Sequence, residues 1–368
     1  MLKNLHCWIG SYCRQEIGRI LKRPSVKPGG PRHVIFTCCD HYEPDWGGAD
    51  PAVQLSRVER WVKEYPGLAL RHADSDGCHP RHSFFYPAEV YSRENCGRLE
   101  ELVRRGFGEV DIHLHHDGDT EETLAARLRQ AKDDFARHGF LARRRLSGPI
   151  RFAFIHGNWS LNNSRSDGKW CGVNDELRVL QEQGCYADFT YPSAPSETQP
   201  KMINSIYYAS SSPKRPKGHN TGTPAKAGKF RRDHLLMVQG PLTLNWKNRT
   251  RGIFPRIENS DLTGRNPPSP GRADLWVKQH ISVRGRPDWI FIKTHTHGAR
   301  EDNASALLGA PMESLFKYLE ARYNDGVNFK LHYASAREMY NMIKAAEAGE
   351  DGQPGDFRDY IFIKNASG

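Results

Sequence analysis

Nowhere does the chain hold the roughly 18 consecutive apolar residues that a membrane-spanning helix requires, so no transmembrane segment is expected. The opening, MLKNLHCWIGSYCRQEIGRILKR, lacks the continuous apolar core and small-residue cleavage site of a secretory signal, which leads to an expectation of a cytoplasmic protein. Its basic amphipathic pattern instead suits a helix on a surface. No internal repeat is found. Cysteine is sparse: eight are scattered through 368 residues, and Cys38 adjoins Cys39 in a strand-like run where two ordinary bridges cannot readily form. Reduced thiols are expected rather than a disulfide framework.

Acid is the minority charge, 43 residues against 53 basic ones, giving +10. The excess is concentrated in KRPSVKPGGPRH, ARRRL, SSPKRPKGH and KAGKFRR, and it favours an anionic partner in a general way. Few aromatics are interleaved with these patches, and no recognition-helix, finger or single-strand motif accompanies them, so no nucleic-acid partner is expected.

What is present is an alternation of strand and helix patterns. Residues 1–31 read as a helix ending before Pro24 and a linker, 32–348 as the main domain, and 349–368 as an acidic, glycine-containing tail with a short DYIFIK strand. Within the domain, HVIFTCCD, GEVDIHLHH, IRFAFIHG, ADFTYPS, LLMVQGPL and DWIFIKTHTHG read as strands. Helical patterns cover 93–105, DTEETLAARLRQAKDDFARHGF, NDELRVLQEQG, 311–323 and 334–348. Strands separated by helices of this length predict a parallel β/α sheet, open or closed into a barrel. Residues 210–233 and 249–272, rich in Pro, Gly, Lys and Arg, read as extended loops.

Five polar clusters follow the apolar runs: CCDHYEPDW, HLHHDGD, HGNWSLNN, YPSAPSE and THTHG. Side chains beyond the carboxyl ends of parallel strands converge from distant sequence positions, so the recurrence points to a shared pocket. His113 and His115 are two residues apart and leave an extended strand on one face, with His116 on the other unless the strand has turned; His295 and His297 share the same parity. Imidazole and carboxylate are ligands for a borderline divalent ion. Asp40, Asp117 and Asp119 also read as turn or capping residues.

The ordered segments FTCCDHYEP, EVDIHLHHD, FAFIHGNWS, DFTYPSAP and FIKTHTHG resemble the strand-end motifs of the polysaccharide deacetylase superfamily, the NodB-homology or carbohydrate esterase 4-like fold, over roughly residues 32–340. The resemblance implies an α/β fold, a distorted or incomplete (β/α) barrel of about seven parallel strands, in which a divalent metal and its water remove N-acyl groups from sugars. The first family motif, TFDDG, aligns with Thr37 to Asp40, so Cys39 stands at the base position and Asp40 at the ligand position. His113 takes the place of the first metal histidine and Asp117 that of the second, for which His115 or His116 could substitute. The arginine and proline of the third motif are replaced around His156, Gly157, Asn158 and Trp159.

The resemblance therefore implies one divalent ion, zinc first with Ni, Co, Mn or Fe as alternatives, held by Asp40, His113 and one of His115, His116 or Asp117. His41 or Glu43 would replace the missing base, His297 would be the acid, and His295 would orient it or contact substrate. Tyr42, Trp46, His156, Asn158, Trp159 and Asn162 would meet an N-acylated sugar or glycan. An amidohydrolase-like metal hydrolase built on His113 and His115 without Asp40, and a non-catalytic carbohydrate-binding or assembly protein on the same scaffold, are the competing expectations.

Overall fold

The computed structural model describes residues 3–21, 30–144, 147–231 and 234–364, the side chain of residue 250 excepted. Most of the expected linker, and the ends of the expected N-terminal helix and C-terminal tail, lie outside them. In chain order the elements are α1 (Ile9–Leu21), β1 (Arg32–His41), α2 (Pro51–Ala69), β2 (His82–Pro87), α3 (Arg93–Arg104), β3 (Gly108–Leu114), α4 (Glu121–Ala136), β4 (Ala142–Arg143) and β5 (Ile150–His156). There follow α5 (Glu176–Glu182), β6 (Cys185–Asp188), β7 (Ile206–Ala209), β8 (Gly222–Pro224), β9 (Leu235–Val238), the pair β10 (Thr243–Thr250) and β11 (Phe254–Glu258), and β12 (Asp261–Leu262). The chain then forms α6 (Pro270–Gln279), β13 (Trp289–Thr296), α7 (Glu301–Leu307), α8 (Ala310–Tyr323), β14 (Phe329–Tyr333) and α9 (Ala336–Ala348).

Helix starts follow the chain's capping chemistry. Asp50 accepts the Val53 N–H ahead of Pro51, Ser92 accepts from Asn95, and Thr120 and Ser335 each form a reciprocal capping box. Gly349 ends α9 in the left-handed conformation at φ 81°, which a residue without Cβ adopts freely.

One large sheet runs β12-β13-β1-β2-β3-β5-β6-β9-β7-β8, with β14 beside β1 and β4 beside β5. Its centre is parallel, as the alternation predicts, while β4, β7 and β8 pair antiparallel with their neighbours. The sheet is mixed, mostly parallel and not closed into a clean barrel. Twelve strands, rather than about seven, take part among the described residues. The additional strands are β2, β4, β7 and β14, together with β8 and β12 from the regions expected to be loops.

Strand parity sorts side chains into two cores. Val34, Phe36 and Cys38 of β1, Ile112 and Leu114 of β3, and Ile290 and Ile292 of β13 pack with α2, α3, α4 and α8. Ile35, Cys39, Ile155 and Phe291 face the other way, toward α9. That helix is buried through nearly its whole circumference, Lys344 and Glu347 included, because it packs on the second face of the sheet, where Lys344 meets Glu347 and the Tyr208 hydroxyl. Trp8, ahead of α1, seats the N-terminal segment against Ala194, Ile203 and Leu242. The partner of the C-terminal strand pattern is β4, since Ile363 bridges to Arg143. No described helix is long and apolar enough to cross a membrane.

Candidate metal centre and adjoining cavity

Parity also decides which strand-end groups meet. Asp111 and His113 on β3, and Lys293 and His295 on β13, continue the set that includes Ile35 and Cys39; so does His41 at the end of β1. Beyond these strands, Glu43, His115 and His297 complete the convergence. Glu43 Oε1 lies 3.0 Å from His113 Nε2 and 3.2 Å from His115 Nε2. The same carboxylate belongs to a second group with His41 and His297, and in each group the candidate ligand atoms all lie within 4.8 Å of one another. The His41 ring stacks on His297 at 4.8 Å and meets His113 edge-on at 4.9 Å.

The hydrogen bonds test whether these residues suit a cation. His113 Nδ1 lies 2.9 Å from the Ile155 carbonyl, an acceptor only, so Nδ1 carries the proton and donates it. Nε2 of the neutral ring is then a lone pair facing a carboxylate oxygen, an arrangement that requires a second ring proton or a cation between the two. His115 likewise sets Nδ1 against Glu89 Oε1 at 2.6 Å, leaving Nε2 toward Glu43. Metal-binding histidines are characteristically held this way, the remote nitrogen tied to a carbonyl or carboxylate. An ion about 2 Å from nitrogen and oxygen ligands leaves them roughly 3 Å apart, which matches the spacing here. Glu43 Oε2 and His41 Nε2 are buried with no hydrogen-bond partner. The residues fit a divalent ion.

Electrostatics reinforce the clustering. Burial opposes charge on His115, but Glu43 and Glu89 outweigh it and raise its pKa to about 10. Burial would raise Glu43 as well, yet His113 and His115 hold it well below the carboxylate range. Burial lowers His41, with His297 and His113 adding to the effect. It also lowers His297, more than Glu43 and Asp40 raise it.

A cavity of 480 Å³ opens beside this centre, lined by Asn158, Trp159, Arg165, Trp170, His295 and His297, with Asn259 and Asp261 on another wall. Asn158 and Trp159 both take left-handed backbone conformations, at φ 56° and 55°. Such strain persists where the surroundings over-determine it. Trp159 meets the edge of His297 at 5.6 Å, and Trp46, 41% exposed, meets it at 5.4 Å with Arg300 over its outer face. Gly157 makes the close approach of this loop to the centre, since a Cβ there would lie 2.3 Å from the His115 ring.

Other expected site residues lie elsewhere. Asp40 follows the parity of Cys38, not of His41, and its carboxylate is occupied by His82 Nε2 at 2.8 Å and the Gly298 N–H at 2.6 Å. Glu43, three residues on, is the carboxylate that joins the histidines. Tyr42 is fully buried against Trp61 and Phe84 and is not part of the cavity lining. Asp117 accepts the Trp170 N–H at 2.7 Å. His116 points away from His113 and His115 into a separate, deeply buried group with His156, Cys171 and Glu176. Asn162 is buried there too, its side-chain oxygen accepting the Leu177 N–H. Sequence reading did not single out Glu89, Arg165, Trp170, Cys171 or Glu176. The HSFFYP run ahead of Glu89 has strand character that could have placed Glu89 beyond a strand end; Arg165, Trp170 and Cys171 lie on irregular chain with no periodic signal, and Glu176 stands in the first turn of α5, inside the helical pattern NDELRVLQEQG.

No family model matches the sequence, and no curated protein matches it. Among solved structures the chain is similar to a Mycobacterium smegmatis protein described as a "putative polysaccharide deacetylase", at 14% identity and a TM-score of 0.42, over 90% of this chain and 96% of that one.

Proposed function

We propose that the protein is a divalent-metal-dependent hydrolase that removes an N-acyl group from a sugar, glycan or related small molecule. The observation that carries this reading is the pairing of His113 and His115, each held at Nδ1, on the single carboxylate of Glu43 at the edge of a tryptophan-lined cavity. Glu43, His113 and His115 would hold the ion, with His41 at its margin; zinc is the first choice for this nitrogen and oxygen donor set, and Ni, Co, Mn or Fe suit it as well. Such an ion supplies Lewis acidity toward an acyl oxygen and acidifies water.

The rest falls to the chain. His297, kept neutral by burial and open to the cavity, takes up a proton and returns it to the departing amine. His295, one strand position pair back, orients substrate. Cys39, at the position where the resembled family has its base, is buried with its thiol pushed up to about 12, so it cannot take that role at neutral pH. Trp46, Trp159 and Trp170 offer flat apolar faces for a sugar ring; Arg165 and Arg300, stacked on Trp170 and Trp46, are each paired with a carboxylate, Asp167 and Asp302.

The test is elemental analysis of gently purified protein followed by assay against a panel of N-acylated sugars with several metals. Hydrolysis that requires the metal and is lost in Glu43→Gln supports the reading. A folded, metal-loaded sample that binds a glycan without turnover favours the non-catalytic carbohydrate-binding role. One observation favours the amidohydrolase-like alternative: His113 and His115 converge without Asp40. Against it stands chain order, since the shared carboxylate comes from beyond β1 and the histidines from β3. Turnover confined to cyclic amides, with N-acyl sugars inert, would choose that alternative.

A further inference from the structure

We propose that His116, His156, Cys171 and Glu176 form a second divalent-metal site, closed and structural, separate from the centre at Glu43. The four residues come from four places: just past β3, the end of β5, the irregular segment before α5, and the first turn of α5. Their candidate ligand atoms lie within 4.8 Å of one another and all four residues are buried. His116 Nε2 stands 3.2 Å and His156 Nε2 3.6 Å from Glu176 Oε1, and Cys171 Sγ is 3.3 Å from Glu176 Oε2. Ligands about 2.0 Å (nitrogen, oxygen) and about 2.3 Å (sulfur) from a tetrahedral ion sit roughly 3.2–3.7 Å apart, so little movement would close the site.

The independent sign that the group takes a cation is His156. Its Nδ1 can only donate to the Gly157 carbonyl, which makes Nε2 a lone pair. That atom is fully buried, has no hydrogen-bond partner and faces a carboxylate oxygen. A cation between the two removes the conflict. Cys171 Sγ, meanwhile, already accepts the N–H groups of Asn163 and Val173, contacts that favour a thiolate. On binding, the thiol proton and any proton shared by His116 and Glu176 leave to solvent, and the two anionic ligands then balance the charge of the ion.

The donor set and enclosure separate this site from the first. It offers four protein ligands, one of them sulfur, and none lines the cavity, whereas catalytic centres keep an open position. Its place in the fold gives it work to do. The segment between His156 and Cys171 includes Asn158, Trp159, Asn162, Asn163 and Trp170, all at positive φ, and an ion tied to both ends would hold that strained wall of the cavity in shape. A third group, Asp74, Asp76 and His332, differs in that Arg358 already reaches both carboxylates.

Cobalt(II) reads the site directly, because only a thiolate ligand gives an intense near-ultraviolet charge-transfer band and the Glu43 centre has no sulfur. Cobalt-reconstituted protein is expected to bind about two ions per chain and show the band, with Cys171→Ser and Glu176→Gln falling to about one ion and Cys171→Ser losing the band. His113→Asn is expected to lose the other ion and keep the band. A folded wild-type protein without the band, or a band that survives Cys171→Ser, overturns the proposal. The wild-type spectrum needs no substitution, so it decides the matter even where a variant fails to fold. Failure of the hydrolase reading would appear separately, as absent turnover in protein carrying both ions.

Discussion

The carboxylate of Asp40 accepts the backbone N–H of Gly298, and the carbonyl of the same glycine accepts the indole N–H of Trp61 at 2.9 Å. The residue after His297 is thereby gripped from both sides, and there is no room for a larger one: a Cβ on Gly298 would stand 2.1 Å from Asp40 Oδ2. Asp40 thus bears on the proposed acid from behind, through the backbone, rather than through the cluster of ligand atoms. Its second partner is His82: burial opposes charge on that ring, but Cys38 and Asp40 raise its pKa to about 9.

Asp40→Asn is therefore expected to cost stability on the order of 3–5 kcal/mol, the cost of leaving one member of a buried ion pair unpaired, while the folded fraction keeps its metal. Glu43→Gln is expected to do the reverse, losing metal with a smaller change in melting temperature. Metal analysis alongside thermal unfolding of both variants checks this. A well-folded Asp40→Asn protein stripped of metal would return Asp40 to the ligand set.

Glu89 holds His115 from the side away from Glu43. Partners of this kind fix the ring and raise its basicity, and losing one costs about 10–100-fold in metal affinity. Glu89→Gln is expected to weaken metal binding within that range, as measured by competition with a chelator, without unfolding the protein. Unchanged affinity would leave Glu89 as an ordinary surface carboxylate.

Gly157→Ala should act on the same ring by steric means. The new Cβ would overlap His115 Cδ2 and approach its Cα to 2.8 Å, so the ring or the Asn158–Trp159 loop must shift. Metal affinity and turnover are expected to fall together by at least about tenfold, since misplacements of about 1 Å at a site can cost about 100-fold. Wild-type values for both in Gly157→Ala would show that the loop yields freely.

Much of this arrangement was legible because strand parity and strand-end clustering are local properties. The shared face of His113 and His115 and the separation of His116 follow from a period of two, and the polar ends of β1, β3, β5 and β13 from polar clusters that close apolar runs. Asp40 was harder: its parity could be counted, but the resemblance to TFDDG put it at a ligand position, and only the packing of Trp61 and His82 behind β1 shows its carboxylate already engaged. His82–Pro87 was missed as a strand because its continuous apolar run is short and lies beside the stronger helical pattern at Arg93. Cys171 carries no local signal and Glu176 only that of its helix, since their meeting with His116 and His156 depends on how an irregular segment folds back.

Acid should destabilise the protein through His33, whose ring lies 2.9 Å from His332 and edge-on to Trp289. Burial, then His332, Lys330 and Arg286, lower its pKa to about 4, against an upward pull from Asp288. The unfolded chain, with an ordinary imidazole near 6.5, binds more protons than the folded one between these values. Stability therefore rises with pH across that window: full above about 6.5 and falling as pH drops toward 4, by on the order of 2–3 kcal/mol from this residue at most. Urea unfolding of wild type and His33→Gln across the window, at fixed metal and salt, isolates the contribution, because other acid-sensitive groups are common to both proteins. The variant is expected to show the shallower dependence, and parallel curves would mean that His33 titrates alike in the folded and unfolded chains.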